Sequence, residues 1–493
     1  MKSITGTVIM GVLVFSISCS KRLAPAPSPP SVTETPVDVR VDVNNVIRLL
    51  TGNEVGINVN YLMDDNIIAG NSYMKTAQGI KQMGVKLMRY PGGEKSDNYY
   101  FSSSPYAAAA PKAAYCSFPS SDTRFFNGDF SAKNAVVDFD EFMVMCTEAQ
   151  AQPLVVVAYD AIYAQGTCGP KPAKAQMIEN AKQWVRYANI TKNHNVKLWM
   201  IGNESWLAAS YNGFTTPAQY ALDIVEFADA MRSVDPTIKI IANGRSDWWS
   251  TLLLSPAVAK IDYLAVSNYL PSAISSYDKF RLNSSSLNGE TDQAIAALDL
   301  VSNADKARIG VIESEFNSID FTAGGWASIN NLGHALCSFQ MQADGLLKSK
   351  LFSACFWNTR WIENTTKPQN LFDALQENGN LNANGIGLSI LGNNLLTAMV
   401  SSTAGSGIKS YASYNNANKN VRVFLLNKET VSKKVRINFA NYLSTFSYDK
   451  WEFKGNSFED MFPTWAAAAT NQAGTATLEM TLPATSVTML ACK

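Results

Sequence analysis

The chain has 493 residues, of which 46% are hydrophobic, and its 41 basic and 41 acidic side chains cancel to a net charge of zero. This length and hydrophobic content predict one large domain with a smaller one beside it, and the lack of a basic excess argues against a nucleic-acid partner. With His194 and His334 as the two histidines of the sequence, a multi-histidine metal site is not supported, and no cofactor is indicated.

Residues 1–19 have the pattern of a bacterial lipoprotein signal. Lys2 precedes a short apolar run, 8–15, which is too short to span a bilayer. The run ends in "SISC", which resembles a lipobox, so Cys19 is the predicted lipidation site; an ordinary signal peptide cut nearby is the alternative. The Pro- and Ser-rich segment 20–36 then serves as a tether. The prediction is a protein anchored through lipid in the bacterial cell envelope, at the outer membrane, facing either the periplasm or the outside.

From residue 54 to about 395, short and nearly continuous apolar stretches alternate with amphipathic helical patterns. This alternation predicts parallel strands covered by helices, and eight such units match an α/β fold of the (β/α)8 TIM barrel type. A doubly wound open sheet is the alternative, but its Gly-rich phosphate turn is missing after the first strand. The predicted barrel strands are 54–60, 85–91, 153–160, 196–204, 238–244, 261–269, 308–316 and 351–358.

The regions on either side of the barrel have a different pattern. Residues 396–493 alternate polar and apolar side chains between turn clusters, which predicts an antiparallel β-sandwich. Segment 37–53 contains "VDVRVDV", a strand pattern that we expect to join this sandwich. Cys116 and Cys168 both lie in loop-like sequence and are candidates for a disulfide in an oxidising compartment, although the sequence alone does not settle their pairing.

Carboxylates occur at two of the predicted strand ends, where the chemistry of such barrels is located. The fourth strand ends in Glu204, and the seventh contains Glu313 and Glu315. Because side chains alternate along a strand, Glu313 and Glu315 are expected to share one face, with Glu315 nearer the mouth. Two opposed carboxyl groups suit glycoside hydrolysis, since one donates a proton to the leaving oxygen and the other attacks the anomeric carbon or activates water. A pair of solvated strand ends is the alternative.

Five motifs occur in one order: "YPGG" after Arg89, "KLWMIGNE", the segment 220–244, "SEFN" and the terminal "LPATSVTML". The ordered set resembles clan A glycoside hydrolases, and most of all the family 51 α-L-arabinofuranosidases, from about residue 37 to the end. The resemblance implies a carbohydrate substrate and a retaining mechanism. Glu204 is the implied acid/base and Glu315 the implied nucleophile.

The resemblance also implies supporting roles. Asn203 is expected to bind the sugar hydroxyl next to the anomeric carbon, and Arg89 and Tyr269 to keep the nucleophile ionised. Trp357 ends the eighth strand and is either the floor under the reacting sugar or a core aromatic residue. Further aromatic residues near the predicted active face are candidates for sugar subsites, with ordinary packing as the alternative: Tyr99, Tyr100, Trp248, Trp249, Trp326 and Trp361.

Two positions depart from the family 51 pattern. The family usually ends its first strand with a Glu that holds arabinose, and Asn60 occupies that position here as the candidate substrate-binding residue. It usually has a His two residues before Tyr269, and this chain has Ser267. Because both positions concern substrate recognition, an endo-β-glycanase of the same clan, acting on glucan, xylan or agar-type polymers, stays beside arabinofuranosidase as an alternative. A catalytically inactive glycan-binding lipoprotein is the third possibility. The presence of both Glu204 and Glu315 argues against it.

Overall fold

The computed structural model describes the chain in seven ranges: 35–65, 72–115, 123–133, 136–164, 171–207, 215–361 and 370–493. The predicted lipidation site Cys19, nearly all of the tether, and both Cys116 and Cys168 lie outside these ranges, so the anchor and the disulfide stay predictions. Within the described ranges, no helix is both long enough and apolar enough to cross a membrane.

The strands are numbered here in chain order through the described ranges. They are β1 (Val37–Leu49), β2 (Val55–Asn58), β3 (Leu87–Tyr90), β4 (Tyr99–Tyr100), β5 (Lys112–Ala113), β6 (Gln152–Val157), β7 (Leu198–Ile201), β8 (Lys239–Asn243), β9 (Tyr263–Tyr269), β10 (Gly310–Asn317), β11 (Leu351–Phe356), β12 (Ala398–Ala404), β13 (Ile408–Asn415), β14 (Asn420–Asn427), β15 (Lys433–Ala440), β16 (Thr445–Lys454), β17 (Thr464–Thr475), β18 (Thr477–Leu482) and β19 (Ser486–Cys492).

The α-helices are numbered in the same way. They are α1 (Tyr73–Gln82), α2 (Phe139–Ala149), α3 (Lys174–Val185), α4 (Pro217–Arg232), α5 (Trp249–Leu253), α6 (Tyr277–Leu282), α7 (Gly289–Ala297), α8 (Asn303–Arg308), α9 (Leu332–Leu346) and α10 (Ala383–Asn394).

Eight parallel strands close into a barrel in the order β2-β3-β6-β7-β8-β9-β10-β11, with β11 pairing back to β2. The predicted (β/α)8 barrel is therefore confirmed. Side chains alternate as expected for strands covered by helices: Leu198 and Met200 of β7 belong to the cluster inside the barrel, whereas Trp199 and Ile201 pack in the larger outer core. Because all eight strands run the same way, their carboxyl ends meet at one mouth.

Nine further strands form a second hydrogen-bonded sheet, in the order β17-β16-β19-β14-β13-β12-β1-β15-β18. Strand β1 pairs antiparallel with β12 and parallel with β15. Val39, Val423 and Leu478, from strands far apart in this order, share one buried cluster, so the sheet wraps around its own core in the manner of a sandwich. The other face of β14 contributes Phe424 and Leu426 to the core that includes the barrel. The sandwich thus packs directly against the barrel helices.

One loop of this β-domain reaches the start of a barrel helix. In the β16–β17 loop, residues 455–463, the carbonyl oxygens of Phe458 and Asp460 accept hydrogen bonds from the N–H groups of Gly333 (2.7 Å) and Leu332 (2.8 Å). Those N–H groups open helix α9 and have no partner within the helix. Since α9 follows β10, the contact brings the β-domain to the mouth of the barrel.

Candidate active site

Glu204 lies just beyond the end of a barrel strand, in a tight turn. Strand β7 ends at Ile201, three residues earlier than predicted, because Gly202 takes φ +70° and leaves the extended conformation. Glu204 itself has φ +44°, a left-handed conformation that costs a non-glycine residue about 1–3 kcal/mol. Such strain is concentrated at functional sites, where the surrounding structure enforces it.

The strands on either side of β7 hold this turn in place. The N–H of Asn203 donates to the Asp160 carboxylate (3.1 Å), and the N–H of Ser205 donates to the side-chain oxygen of Asn243 (2.8 Å). Neither Asp160 nor Asn243 is among the candidate residues predicted from the sequence. Each is a polar residue at the end of an apolar run, "VVVAYD" for Asp160 and "IIAN" for Asn243. This pattern in the sequence could have identified both.

Glu315 lies in β10, and a bulge in this strand gives it a different direction from Glu313. The pairing register of β10 jumps between the two glutamates, so that Ser314 is an extra residue. The Glu313 carboxylate accepts hydrogen bonds from Asn288 (2.8 Å) and Thr291 (2.6 Å), on the side of α7. The prediction that both glutamates share one face is therefore wrong, because one extra residue inverts the alternation of side chains.

Arg89 connects the groups that surround the Glu315 carboxylate. Its Nη1 donates to Glu315 Oε1 (3.1 Å) and to Asn58 Oδ1 (2.7 Å), and its Nη2 donates to Asn203 Oδ1 (2.6 Å). The hydroxyl of Tyr269 donates to Glu315 Oε2 at 2.7 Å. Both oxygens of Glu315 thus accept a hydrogen bond, one of them from a cation that is fully buried. The structure brings together Arg89, Asn203, Tyr269 and Glu315 as the sequence analysis grouped them.

Asn58 is a further residue of this group that the sequence analysis missed. Besides accepting from Arg89, it donates through Nδ2 to the carbonyl oxygen of Ser314 at 2.8 Å. It therefore links the cation to the bulge that directs Glu315 into the barrel mouth. A buried asparagine within the apolar first strand is the signal that identifies it.

The two carboxyl groups have different proton affinities. Burial raises the pKa of Glu204 to about 8, the negative charge of Glu315 adds to this rise, and the Ser267 hydroxyl opposes it. Burial also raises the pKa of Glu315, but Arg89 and the hydroxyl of Tyr269 act against that rise. Because cation and hydroxyl contacts favour the charged form, Glu315 gives up its proton more readily than Glu204 does.

Asn60 is buried, and its side-chain amide forms hydrogen bonds with backbone groups. Its Nδ2 donates to the carbonyl oxygen of Arg360 (2.8 Å), its Oδ1 accepts from the N–H of Leu62 (3.3 Å), and its own N–H donates to Asp64 (2.8 Å). These contacts fix the loops after β2 and β11. A role for Asn60 in binding substrate stays a prediction.

The aromatic candidates lie in different surroundings, and Tyr100 and Trp326 are partly exposed. Trp357 is 5% exposed and its ring lies edge-on to Trp361, with centroids 6.2 Å apart. The Nζ of Lys95 is 4.8 Å from the centre of the Trp357 ring, and the charges of Glu315 and Arg89 both act on the Lys95 ammonium group. Lys95 therefore connects this tryptophan to the Arg89 group. The remaining fully buried candidates serve the core: Tyr99, Trp248 and Trp249.

A cavity of about 430 Å³ opens beside the turn that carries Glu204. We call it the acid-side cavity, because Glu204 belongs to its lining and Glu315 does not. Its walls combine aromatic rings with polar side chains of the kind that can form hydrogen bonds to sugar hydroxyls. The principal lining residues are Glu204, Trp206, Arg245, Tyr269, Pro271, Gln293 and Phe321.

We expect Glu313→Gln to leave most of the activity of this site in place and to change the pH dependence of stability. Burial raises the pKa of Glu313 from 4.5 to about 7, so its ionisation destabilises the fold by up to about 3 kcal/mol as the pH rises through this range. Glutamine does not ionise. The unfolding free energy, measured with urea, should therefore increase in the variant relative to the wild type between pH 5 and pH 8. If the difference in unfolding free energy between the variant and the wild type is the same at pH 5 and pH 8, Glu313 does not have this raised pKa.

Comparison with known sequences finds similarity in the region that contains most of these residues. The profile of the alpha-L-arabinofuranosidase 1 domain matches residues 79–281, which include Arg89, Asn203, Glu204 and Tyr269 and end before Glu315. An intracellular exo-alpha-(1->5)-L-arabinofuranosidase of Acetivibrio thermocellus is 24% identical over 241 residues, which are 45% of this chain and 44% of that protein. The match therefore spans less than half of the curated relative.

Comparison with solved structures covers nearly the whole chain. An α-L-arabinofuranosidase from Thermotoga maritima, in complex with arabinose, superposes with a TM-score of 0.71 at 17% identity, over 92% of this chain and 99% of that one. A bifunctional glucanase-xylanase from a metagenome library superposes with a TM-score of 0.62 at 14% identity, over 93% and 99%. At these identities the likeness concerns the fold. Together with the domain match, it confirms the resemblance to clan A glycoside hydrolases of the family 51 type.

Proposed function

We propose that this protein is a retaining glycoside hydrolase of the α-L-arabinofuranosidase type, acting on oligosaccharides or polysaccharides. The observation that carries the proposal is that two carboxyl groups at one barrel mouth differ in their contacts and in their proton affinity. Glu315, contacted by Arg89 and Tyr269, is the ionised nucleophile. Glu204, whose pKa is raised to about 8, is the proton donor.

In the first step, Glu315 attacks the anomeric carbon while Glu204 gives its proton to the departing oxygen. In the second step, Glu204 takes a proton from water, which then releases the sugar from Glu315. Asn203 is placed to support both steps. Its Oδ1 is held by Arg89, whereas its buried Nδ2 has no partner within the described ranges and is free to donate to a sugar hydroxyl.

An endo-β-glycanase activity is the second candidate, and Asn60 is the observation that favours it. At the position where family 51 usually has an arabinose-binding Glu, this chain has an amide that contacts backbone groups. The arabinose contact of the family is therefore missing from this position. The change lies outside the carboxyl pair and concerns the recognition of the sugar.

The test is a substrate panel followed by product analysis. We expect hydrolysis of 4-nitrophenyl α-L-arabinofuranoside, debranched arabinan or arabinoxylan, and proton NMR should show that the first-formed sugar keeps the anomeric configuration of the substrate. Xylan, mixed-linkage β-glucan and agarose test the second candidate, with the length of the products separating endo from exo action. An inverted first product, or no hydrolysis of any of these substrates, would overturn the proposal.

A further inference from the structure

Two phenylalanines stand out by their exposure. Phe321 is 67% exposed and Phe462 is 68% exposed, and within the described part of the chain they are the aromatic residues that are mainly open to solvent. Phe321 lines the acid-side cavity, where its ring lies edge-on to that of Tyr269 at 4.9 Å. Exposed aromatic rings next to a cavity are typical of binding surfaces, because they offer a large apolar area without a core to fill.

The loop that carries Phe321 has a fixed shape. The Asp320 carboxylate accepts hydrogen bonds from the N–H groups of Thr322 (2.9 Å) and Trp326 (3.0 Å), and Phe321 has φ +51°. The conformation of the loop therefore depends on Asp320, and the Phe321 ring remains largely exposed apart from its contact with Tyr269. An exposed ring held in this way is available to a ligand.

A second cavity, of about 580 Å³, lies where the barrel meets the β-domain. We call it the border cavity. Tyr277 and Phe458, from the two sides of the border, stack with centroids 4.3 Å apart. The β16–β17 loop also supplies Met461, which is 38% exposed and directly precedes Phe462. Further lining residues include Ser275, Asp278, Trp326, Ile329 and Glu459.

The two cavities are neighbours along one surface because the same two loops line both. In the β9–α6 loop, Pro271 faces the acid-side cavity and Ser275 the border cavity. In the β10–α9 loop, Phe321 lines the acid-side cavity and Trp326 lines the border cavity. A path along these loops therefore leads from Glu204 to the β16–β17 loop.

Building on the proposed function, we propose that this surface binds the leaving-group side of a glycan chain several sugars long, and that the β-domain completes it through Met461 and Phe462. The proton from Glu204 goes to the leaving oxygen, so the leaving group must lie on the side of the acid-side cavity. Sugar rings place their C–H faces against aromatic and apolar side chains, and their hydroxyls bond to polar groups at the rim. Ser275 and Asp278 supply such groups in the border cavity.

The experiment compares a polymer with a small substrate. The double variant Met461→Ser/Phe462→Ser and the single variant Phe321→Ala change exposed side chains, so folding should be preserved. We expect each to lower, about tenfold, the ratio of kcat/KM on debranched arabinan or arabinoxylan to kcat/KM on the 4-nitrophenyl glycoside. Leu443→Ala, which alters another exposed residue of the β-domain (42% exposed), serves as the matched control with an unchanged ratio.

A binding measurement separates this proposal from the proposed function. In gels that contain each polysaccharide of the panel, the wild type and the Leu443→Ala variant should be retarded by at least one polymer, and the Met461→Ser/Phe462→Ser variant should be retarded less. This readout does not require hydrolysis. Equal retardation of all variants, no retardation by any of the polymers, or unchanged kinetic ratios would overturn the extended surface, even if the small glycoside is hydrolysed.

Discussion

Replacing Glu315 by glutamine is expected to lower kcat on an aryl glycoside by about four orders of magnitude. An amide cannot form the glycosyl–enzyme ester, and the loss of a nucleophile removes a step for which the site has no substitute. The variant also leaves the Arg89 guanidinium buried beside a neutral group, which lowers stability. Circular dichroism and the urea midpoint therefore accompany the kinetics. Glu313→Gln is the matched control, since it alters a buried glutamate of the same strand that faces away from the mouth.

A second variant tests the role of Glu315 by chemical rescue. Glu315→Gly leaves space at the position of the carboxylate, which added azide or formate can fill. With an activated aryl glycoside, azide should restore turnover and give a glycosyl azide of inverted configuration, because a single displacement replaces two. Turnover close to that of the wild type in Glu315→Gln, or rescue with retention, would show that another group is the nucleophile.

Replacing Glu204 by glutamine is expected to have an effect that depends on the leaving group. General acid catalysis contributes about 10²–10⁴-fold, so natural sugar leaving groups should lose about this factor in kcat/KM. A 2,4-dinitrophenyl leaving group needs no protonation, and its glycosyl–enzyme should form at nearly the normal rate and accumulate. Added azide should then speed turnover and give a product of retained configuration, the opposite of the result for Glu315→Gly.

The pH profile provides an independent check on Glu204. A general acid with a pKa of about 8 is protonated below that value, so wild-type activity on natural substrates should fall as the pH rises through 8. The Glu204→Gln variant, having no proton to lose at this position, should lack this alkaline limb. An alkaline limb that persists in the variant would assign the titration to a different group.

The fold could be predicted from the sequence because it depends on a strong, repeated signal. Eight apolar runs with helical patterns between them have few arrangements other than a closed barrel. Parallel pairing then brings all strand ends to one mouth, so Glu204 and Glu315 meet there even though 111 positions separate them in the sequence. Arg89 and Tyr269 were candidates because of the resemblance to family 51, and the structure places both in contact with Glu315.

The tertiary structure alone decided the directions and partners of these side chains. No sequence pattern around Ser314 predicts a β-bulge. In the structure, this extra residue turns Glu313 towards α7 and Glu315 towards Arg89. The amide of Asn60 contacts a backbone carbonyl about 300 residues away, a partner that no pattern of neighbours specifies.

The sequence by itself therefore determined the barrel, the mouth and the residue types that gather there, because periodicity and strand direction are local properties. The difference in proton affinity between Glu204 and Glu315 and the contact of the β16–β17 loop with α9 both depended on contacts between distant segments. A pKa is set by burial and by nearby charges, and these exist only once the chain has folded.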